Sequence, residues 1–169
     1  NRLRHKKAGN ARFFRLFYTM RLIIQRVKRA TLKVHDRVFS EIDEGLLVLV
    51  GITHEDQEED LDWLANKLTN MRLFSDENDK INLCVSDLGY EILLVSQFTL
   101  FASTKKGNRP SFIDAARPEN ARVLFELFTQ KVANRLPNKI KTGCFGEDMQ
   151  IETQLDGPVS IQIDSKQRN

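Results

Sequence analysis

Ser96-Gln97-Phe98-Thr99-Leu100 places a cluster of uncharged hydrogen-bonding groups at the end of a strongly apolar run, Ile92-Leu93-Leu94-Val95. A short aliphatic run of that kind reads as a strand buried on both faces. Downstream, Lys105-Lys106-Gly107-Asn108-Arg109-Pro110 is a basic segment rich in turn formers. A buried strand that ends in Ser, Gln and Thr and opens into a cationic loop suits recognition of a polar, anionic substrate. The bland alternative is a central strand whose hydroxyls only satisfy backbone groups, followed by a solvated loop.

Classical nucleophilic machinery is missing from the sequence. A Ser or Thr nucleophile needs a general base beside it, yet His5, His35 and His54 all lie far from Ser96 and Thr99 along the chain. Cys84 and Cys144 read as reduced thiols, not as a disulfide framework. No pair of His or Cys has zinc-ligand spacing, and neither a Walker loop nor a dinucleotide fingerprint occurs. No metal or cofactor is therefore expected. The acids Glu58, Glu59, Asp60 and Asp62 read as the solvated start of a helix.

The elements that must position these groups follow from the hydrophobic pattern. Residues 22–27 and 31–34 read as strand, His35-Asp36 as a turn, and 38–42 as the returning strand of a hairpin. Leu46-Leu47-Val48-Leu49-Val50-Gly51-Ile52 reads as a second buried strand. Asp56 is positioned to cap a helix whose apolar residues Leu61, Leu64, Ala65, Leu68 and Met71 recur at helical spacing. Residues 76–80 read as a polar loop and 91–101 as one strand. Pro118 opens a second helix carrying Ala121, Leu124, Phe125, Phe128 and Val132, and Pro137 closes it. Strands are expected at 140–144, 149–154 and 159–163, with Asp156-Gly157-Pro158 as the link between the last two. Strands, helix, strand, helix, strands is the order of an α/β fold with a mixed sheet and two main helices.

At 169 residues and 41% hydrophobic content the chain has the size and composition of one globular domain. No apolar run approaches the roughly 20 residues that span a bilayer. The formal charge of +3 is misleading. Residues 1–19 hold six basic side chains and no acid, which leaves 20 basic against 23 acidic residues in 20–169. Binding of nucleic acid by the body must therefore use a local patch, because the overall field opposes it. We expect residues 1–19 to be an N-terminal extension and 20–169 to be the functional domain. Organelle targeting by the basic segment is the lesser alternative to a cytoplasmic location.

Five segments occur in a recognisable order: Met20-Arg21-Leu22-Ile23-Ile24-Gln25-Arg26-Val27, Ser96-Gln97-Phe98-Thr99-Leu100, Lys106-Gly107-Asn108-Arg109-Pro110, Gly143-Cys144-Phe145-Gly146 followed by Met149, and Asp156-Gly157-Pro158-Val159. In this order and spacing the chain, from Met20 to about Asp164, resembles the D-aminoacyl-tRNA deacylases. The resemblance implies a homodimeric α/β enzyme with a barrel-like core, its substrate the 3′ acceptor end of D-aminoacyl-tRNA. It implies that Ser96, Gln97, Phe98 and Thr99 line the pocket, with Gln97 and Thr99 nearest the chemistry. A cis Gly157-Pro158 from the partner subunit, steadied by Arg26, would exclude L side chains. Phe145, Gly146 and Met149 would receive the terminal adenosine, and Lys105, Lys106 and Arg109 would contact the tRNA. The chain departs from the family pattern at Leu155 (usually Asn), Ser160 (usually Thr) and Ser111 (commonly Asp).

Two chemical assignments remain open. Thr99 could be the nucleophile, or the 2′-hydroxyl of the terminal adenosine could assist attack while the protein positions the ester. The lack of a base favours the second. In either case backbone N–H donors stabilise the oxyanion, at about 2.7–4 kcal/mol for one donor. A non-catalytic RNA- or DNA-binding module on the same scaffold is the rival from another class.

Overall fold

The computed structural model describes residues 19–167; the expected extension lies almost wholly outside them. Strand β1 (Arg21–Val34) turns at His35 and Asp36 into β2 (Arg37–Ile42). Both turn residues have positive φ, 49° and 60°, the backbone twist that a tight hairpin needs. Next come β3 (Gly45–Gly51), α1 (Glu58–Asn70), β4 (Arg72–Ser75), β5 (Ile81–Cys84), the short α2 (Val85–Leu88) and β6 (Glu91–Ser96). A 3-10 turn (Phe98–Phe101), α3 (Pro118–Arg135), β7 (Ile140–Thr142) and β8 (Gln150–Asp164) follow.

The main sheet runs β2-β1-β3-β6-β7, and β8 pairs with β1 on its other side. β3 is parallel to β6 and β6 to β7, whereas β1 is antiparallel to β2, β3 and β8. The sheet curls until its edges almost meet, where the Ser40 hydroxyl of β2 donates to the Thr142 carbonyl of β7. This mixed, nearly closed barrel is the expected fold class.

Curling explains why β3 and β6 are apolar without alternation. Leu46, Val48, Val50, Ile92 and Leu94 face a large core shared with α1 and α3. Leu47, Leu93 and Val95 face a smaller core inside the barrel, with Val27, Ala30, Leu32 and Ile42. Strands covered on both faces can afford no polar face. Lys131 of α3 reaches Glu58 and Asp62 of α1 at 2.8 and 2.9 Å, tying the two helices over the outer core.

Several expectations need correction. The strand expected at 91–101 ends at Ser96. Gln97 N–H still bonds Val50 at 2.8 Å, but Leu100 and Ala102 then bond back to Gln97 and Thr99, so local bonds replace the ladder. Asp56 does not cap α1. Gln57 is the cap and Asp60 closes the capping box, while Asp56 turns inward to accept N–H bonds from Met20 and Thr53. The two C-terminal strands are one, with Gly157-Pro158 inside it. The hairpin β4–β5 and α2 were not anticipated, because four-residue elements with mixed polarity carry no readable period.

Candidate active site

Ser96 closes β6, and Gln97, Phe98 and Thr99 form the start of the 3-10 turn that follows. Leaving the ladder here turns the polar side chains outward. Phe98 is 58% exposed and meets Phe112 edge-on at 5.2 Å between ring centroids. The Gln97 amide donates to the Thr99 hydroxyl. Among the described residues no histidine shares this contact: the hydrogen bond of His54 is to the Ile113 carbonyl, at 3.1 Å. The segment is anchored by Arg21, which bonds the Leu100 carbonyl at 2.9 Å and pairs with Asp164 at 2.8 Å.

Beyond the turn, Ser103 and Ser111 bond each other's backbone at 2.8 and 2.9 Å and pinch off a loop. Lys105, Lys106 and Arg109 stand on it, all exposed. Their charges face solvent at the same end of the sheet as Thr99.

Phe145, Gly146 and Met149 reach this end by another route. β7 runs parallel to β6 and stops at Thr142, opposite Leu94; Gly143 N–H then bonds the Leu94 carbonyl at 2.8 Å. A Cβ on Gly143 would stand 2.7 Å from the Met149 sulfur, so glycine is what admits Met149 beside the inner core. The Phe145 ring packs on Phe125, with Arg122 above it at 4.8 Å. Gly146 is exposed. Phe145 and Arg122 also border an open groove of about 710 Å³ between α3 and β7, with Phe39 on its rim.

Arg26, Gly157 and Pro158 lie elsewhere. Val27 pairs with Leu155 and Gln25 with Ser160, so β8 carries more residues than β1 across this interval. The surplus, Asp156 to Val159, must arch out of the ladder as a bulge. The Gly157-Pro158 bond is cis and Gly157 has φ +120°. A Cβ on Gly157 would lie 3.0 Å from Val159 N and 2.9 Å from its Cγ2. Arg26 Nε bonds the Asp156 carboxylate at 2.9 Å and its carbonyl at 3.3 Å, while its guanidinium donates to the Leu73 carbonyl at 2.7 Å. The arch is thereby tied to β4.

The two groups are far apart within one chain. Ser96 is level with Val50 and Leu22, whereas the arch is level with Arg26, and β6 stands three strands from β8. At about 3.3 Å per residue and about 4.8 Å per strand, the path between them over the curved sheet is roughly 13 Å along the strands and 14 Å across them. The structure therefore sets the chain leaving β7, with Gly143 and Met149, beside the end of β6 that leads into Ser96–Thr99, turns Phe145 toward α3, and puts Gly157-Pro158 on β8, three strands from β6.

Sequence reasoning missed Lys28, Glu44 and Tyr90, which with Asp156 of the Gly-Pro segment surround a cavity of about 340 Å³ beside the arch. No motif marks these three, because they come from separate elements or turns. Among the described residues no group of His, Cys, Asp or Glu is arranged to hold a metal ion, and no helix is long and apolar enough to cross a membrane.

Comparison with known proteins identifies the family and the fold. A model of the D-Tyr-tRNA(Tyr) deacylase family covers residues 23–164. A D-aminoacyl-tRNA deacylase of Cytophaga hutchinsonii is 55% identical over 146 residues, spanning 86% of this chain and 97% of that protein. A solved c-Myc DNA unwinding element binding protein is 40% identical with a TM-score of 0.81, over 85% of this chain and 97% of its own. A probable eukaryotic D-amino acid tRNA deacylase shares the fold at 17% identity, with a TM-score of 0.74 over 86% of this chain and 99% of its own. Family model, curated relative and sheet topology agree with the order of the five sequence segments: the chain belongs to the D-Tyr-tRNA(Tyr) deacylase family.

Proposed function

We propose that this protein is an ester hydrolase that releases D-amino acids, and glycine, from the 3′ end of tRNA as a homodimer with its active sites at the subunit interface. The separation between the Ser96–Thr99 cluster and the Gly157-Pro158 arch carries the reading. An arch tied down by Arg26 yet remote from its own chain's Ser96–Thr99 turn supports a role in completing a pocket on another copy. The pocket wall is Ser96, Gln97, Phe98 and Thr99. The cis Gly157-Pro158 of the second copy captures the substrate amino group with its carbonyls and leaves no room for an L side chain. Steric exclusion discriminates more strongly than a lost methylene contact. Glycine, which has no side chain to exclude, passes.

An aminoacyl ester is already activated, so the protein's task is positioning and oxyanion stabilisation. Gln97 holds the Thr99 hydroxyl, and Thr99 orients the ester while the 2′-hydroxyl of the terminal adenosine assists attack. Phe145, Gly146 and Met149 receive that adenosine. Lys105, Lys106 and Arg109 hold the acceptor-end phosphates. The free thiols of Cys84 and Cys144 suit a reducing, cytoplasmic setting.

The test is incubation of D- and L-aminoacyl-tRNA with the protein, scored by release of the amino acid. Release from the D form with the L form intact is expected; equal release from both, or none, overturns the reading. The name of the 40%-identical structure favours DNA binding as a second reading. The acidic excess of residues 20–169 opposes it.

A further inference from the structure

We propose that Asp156 is a positioning residue for chirality selection, its carboxylate clamped between Arg26 and Lys28 so that the Gly157-Pro158 arch keeps one direction. The inference rests on the deacylase reading above and goes beyond it to a role for the Asp156 side chain and to Lys28, Glu44 and Tyr90, which no sequence motif marks.

The arch leaves the ladder between Leu155 and Ser160, so the backbone bonds that would fix it are absent. Ser160 adds only a long contact to Gln25, at 3.4 Å. Side chains must supply the restraint. Asp156, the residue before Gly157, meets Arg26 Nε at 2.9 Å on one side and Lys28 Nζ at 3.8 Å on the other. Arg26 is the inner jaw, with a side chain 12% exposed and anchored on Leu73. Lys28 is the outer jaw, and it is not loose. Its ammonium bonds Glu44 at 2.7 Å, and the Tyr90 hydroxyl donates to the same Glu44 carboxylate. The Lys28 ammonium holds Glu44 below the usual carboxylate range, so Glu44 stays charged and keeps its grip.

The chain of contacts runs from β6, through Tyr90 just before its first residue, to the turn before β3, to β1 and on to the arch. It links the arch to the body at a point separate from the Arg26–Leu73 anchor. Two anchors on either side of Asp156 restrict rotation of the segment, and the direction of the arch decides which face of the amino acid finds space. An exposed ion pair contributes little to folding stability. It can still bias a segment that lacks ladder bonds.

The experiment compares the intact protein with Asp156→Asn, Lys28→Met and Lys28→Arg, measuring kcat/KM for L- and D-tyrosyl-tRNA. The L-to-D ratio is expected to rise by about fivefold in Asp156→Asn and about twofold in Lys28→Met, and to stay at the wild-type value in Lys28→Arg. Raising ionic strength from about 0.01 to about 1 M, which shortens the screening length from about 30 to about 3 Å, should raise the wild-type ratio but leave that of Asp156→Asn flat. The salt sensitivity of tRNA binding cancels in the ratio. A ratio unchanged in both Asp156→Asn and Lys28→Met overturns the clamp while leaving the deacylase reading intact. A wild-type protein that does not distinguish D from L overturns both. Should Asp156→Asn fail to fold, Lys28→Met, at a half-exposed position, decides alone.

Discussion

Arg26 Nε lies 2.9 Å from the Asp156 carboxylate, at the level where β1 and β8 fall out of register and the Gly157-Pro158 arch leaves the sheet. One guanidinium thus holds both the arch and, through the Leu73 carbonyl at 2.7 Å, the small β4–β5 hairpin. The arch is a fixed projection of the barrel wall.

Gly157→Ala tests that rigidity. A non-glycine residue at φ +120° costs on the order of 1–3 kcal/mol, and the added Cβ would collide with Val159 N at 3.0 Å. We expect a lower Tm and at least about a tenfold fall in kcat/KM for D-aminoacyl-tRNA. Normal stability and activity would show that the arch accepts a side chain.

Thr99→Ala separates the two chemical assignments. Deleting a true nucleophile has cost about six orders of magnitude in kcat elsewhere. With the RNA 2′-hydroxyl assisting, the variant should retain activity within about one to two orders of magnitude, measured by single-turnover release of the amino acid. Trapping of an acyl group on Thr99 would reverse the assignment.

Neutralising Lys105, Lys106 and Arg109 together tests the loop. Each phosphate contact to a single strand adds about 0.7 to the slope of log affinity against log salt, so the triple variant should lose about 2 from that slope. An unchanged slope would make these exposed cations a solvated loop only.

Asp56 gives a pH signature. Its carboxyl is buried, and loss of hydration outweighs the N–H bonds from Thr53 and Met20, pushing it up to about 7 from an ordinary value of 3.8. The folded state therefore binds a proton that the unfolded state has released between about pH 4 and pH 7. This group's contribution to stability is full below about pH 4 and falls as pH rises through 7. Asp56→Asn should remove that slope from a Tm-against-pH profile. It should also cost about 1–3 kcal/mol, because the amide can accept through only one of its two terminal atoms.

Much of the architecture is legible in the chain itself. Leu46 to Ile52 and Ile92 to Val95 are apolar without alternation, which burial on both faces demands. The helical spacing of Leu61, Leu64, Ala65 and Leu68, and the proline at 118, mark α1 and α3. The order of the five segments sufficed to identify the family. Local pattern could not show that Ser96 ends its strand, since β-branched and aromatic residues continue past it. The ladder stops for a tertiary reason: β3 ends at Gly51, and the backbone beyond Gln97 turns to its own carbonyls.

Lys28, Glu44 and Tyr90 are ordinary residues in sequence, distributed over separate strands and turns, and nothing in the Asp156-Gly157-Pro158 segment shows that they meet it. Only the unequal count of residues between paired positions on β1 and β8 reveals the arch, and only the curled sheet brings its neighbours together. The amino-acid sequence by itself determined which long segments are buried, that two main helices are present and which family's motifs occur, because burial period and turn chemistry are local. Tertiary structure decided that Thr99 and Gly157-Pro158 stand at separate places on one barrel, because strand register and strand order are set by pairing between residues distant in sequence.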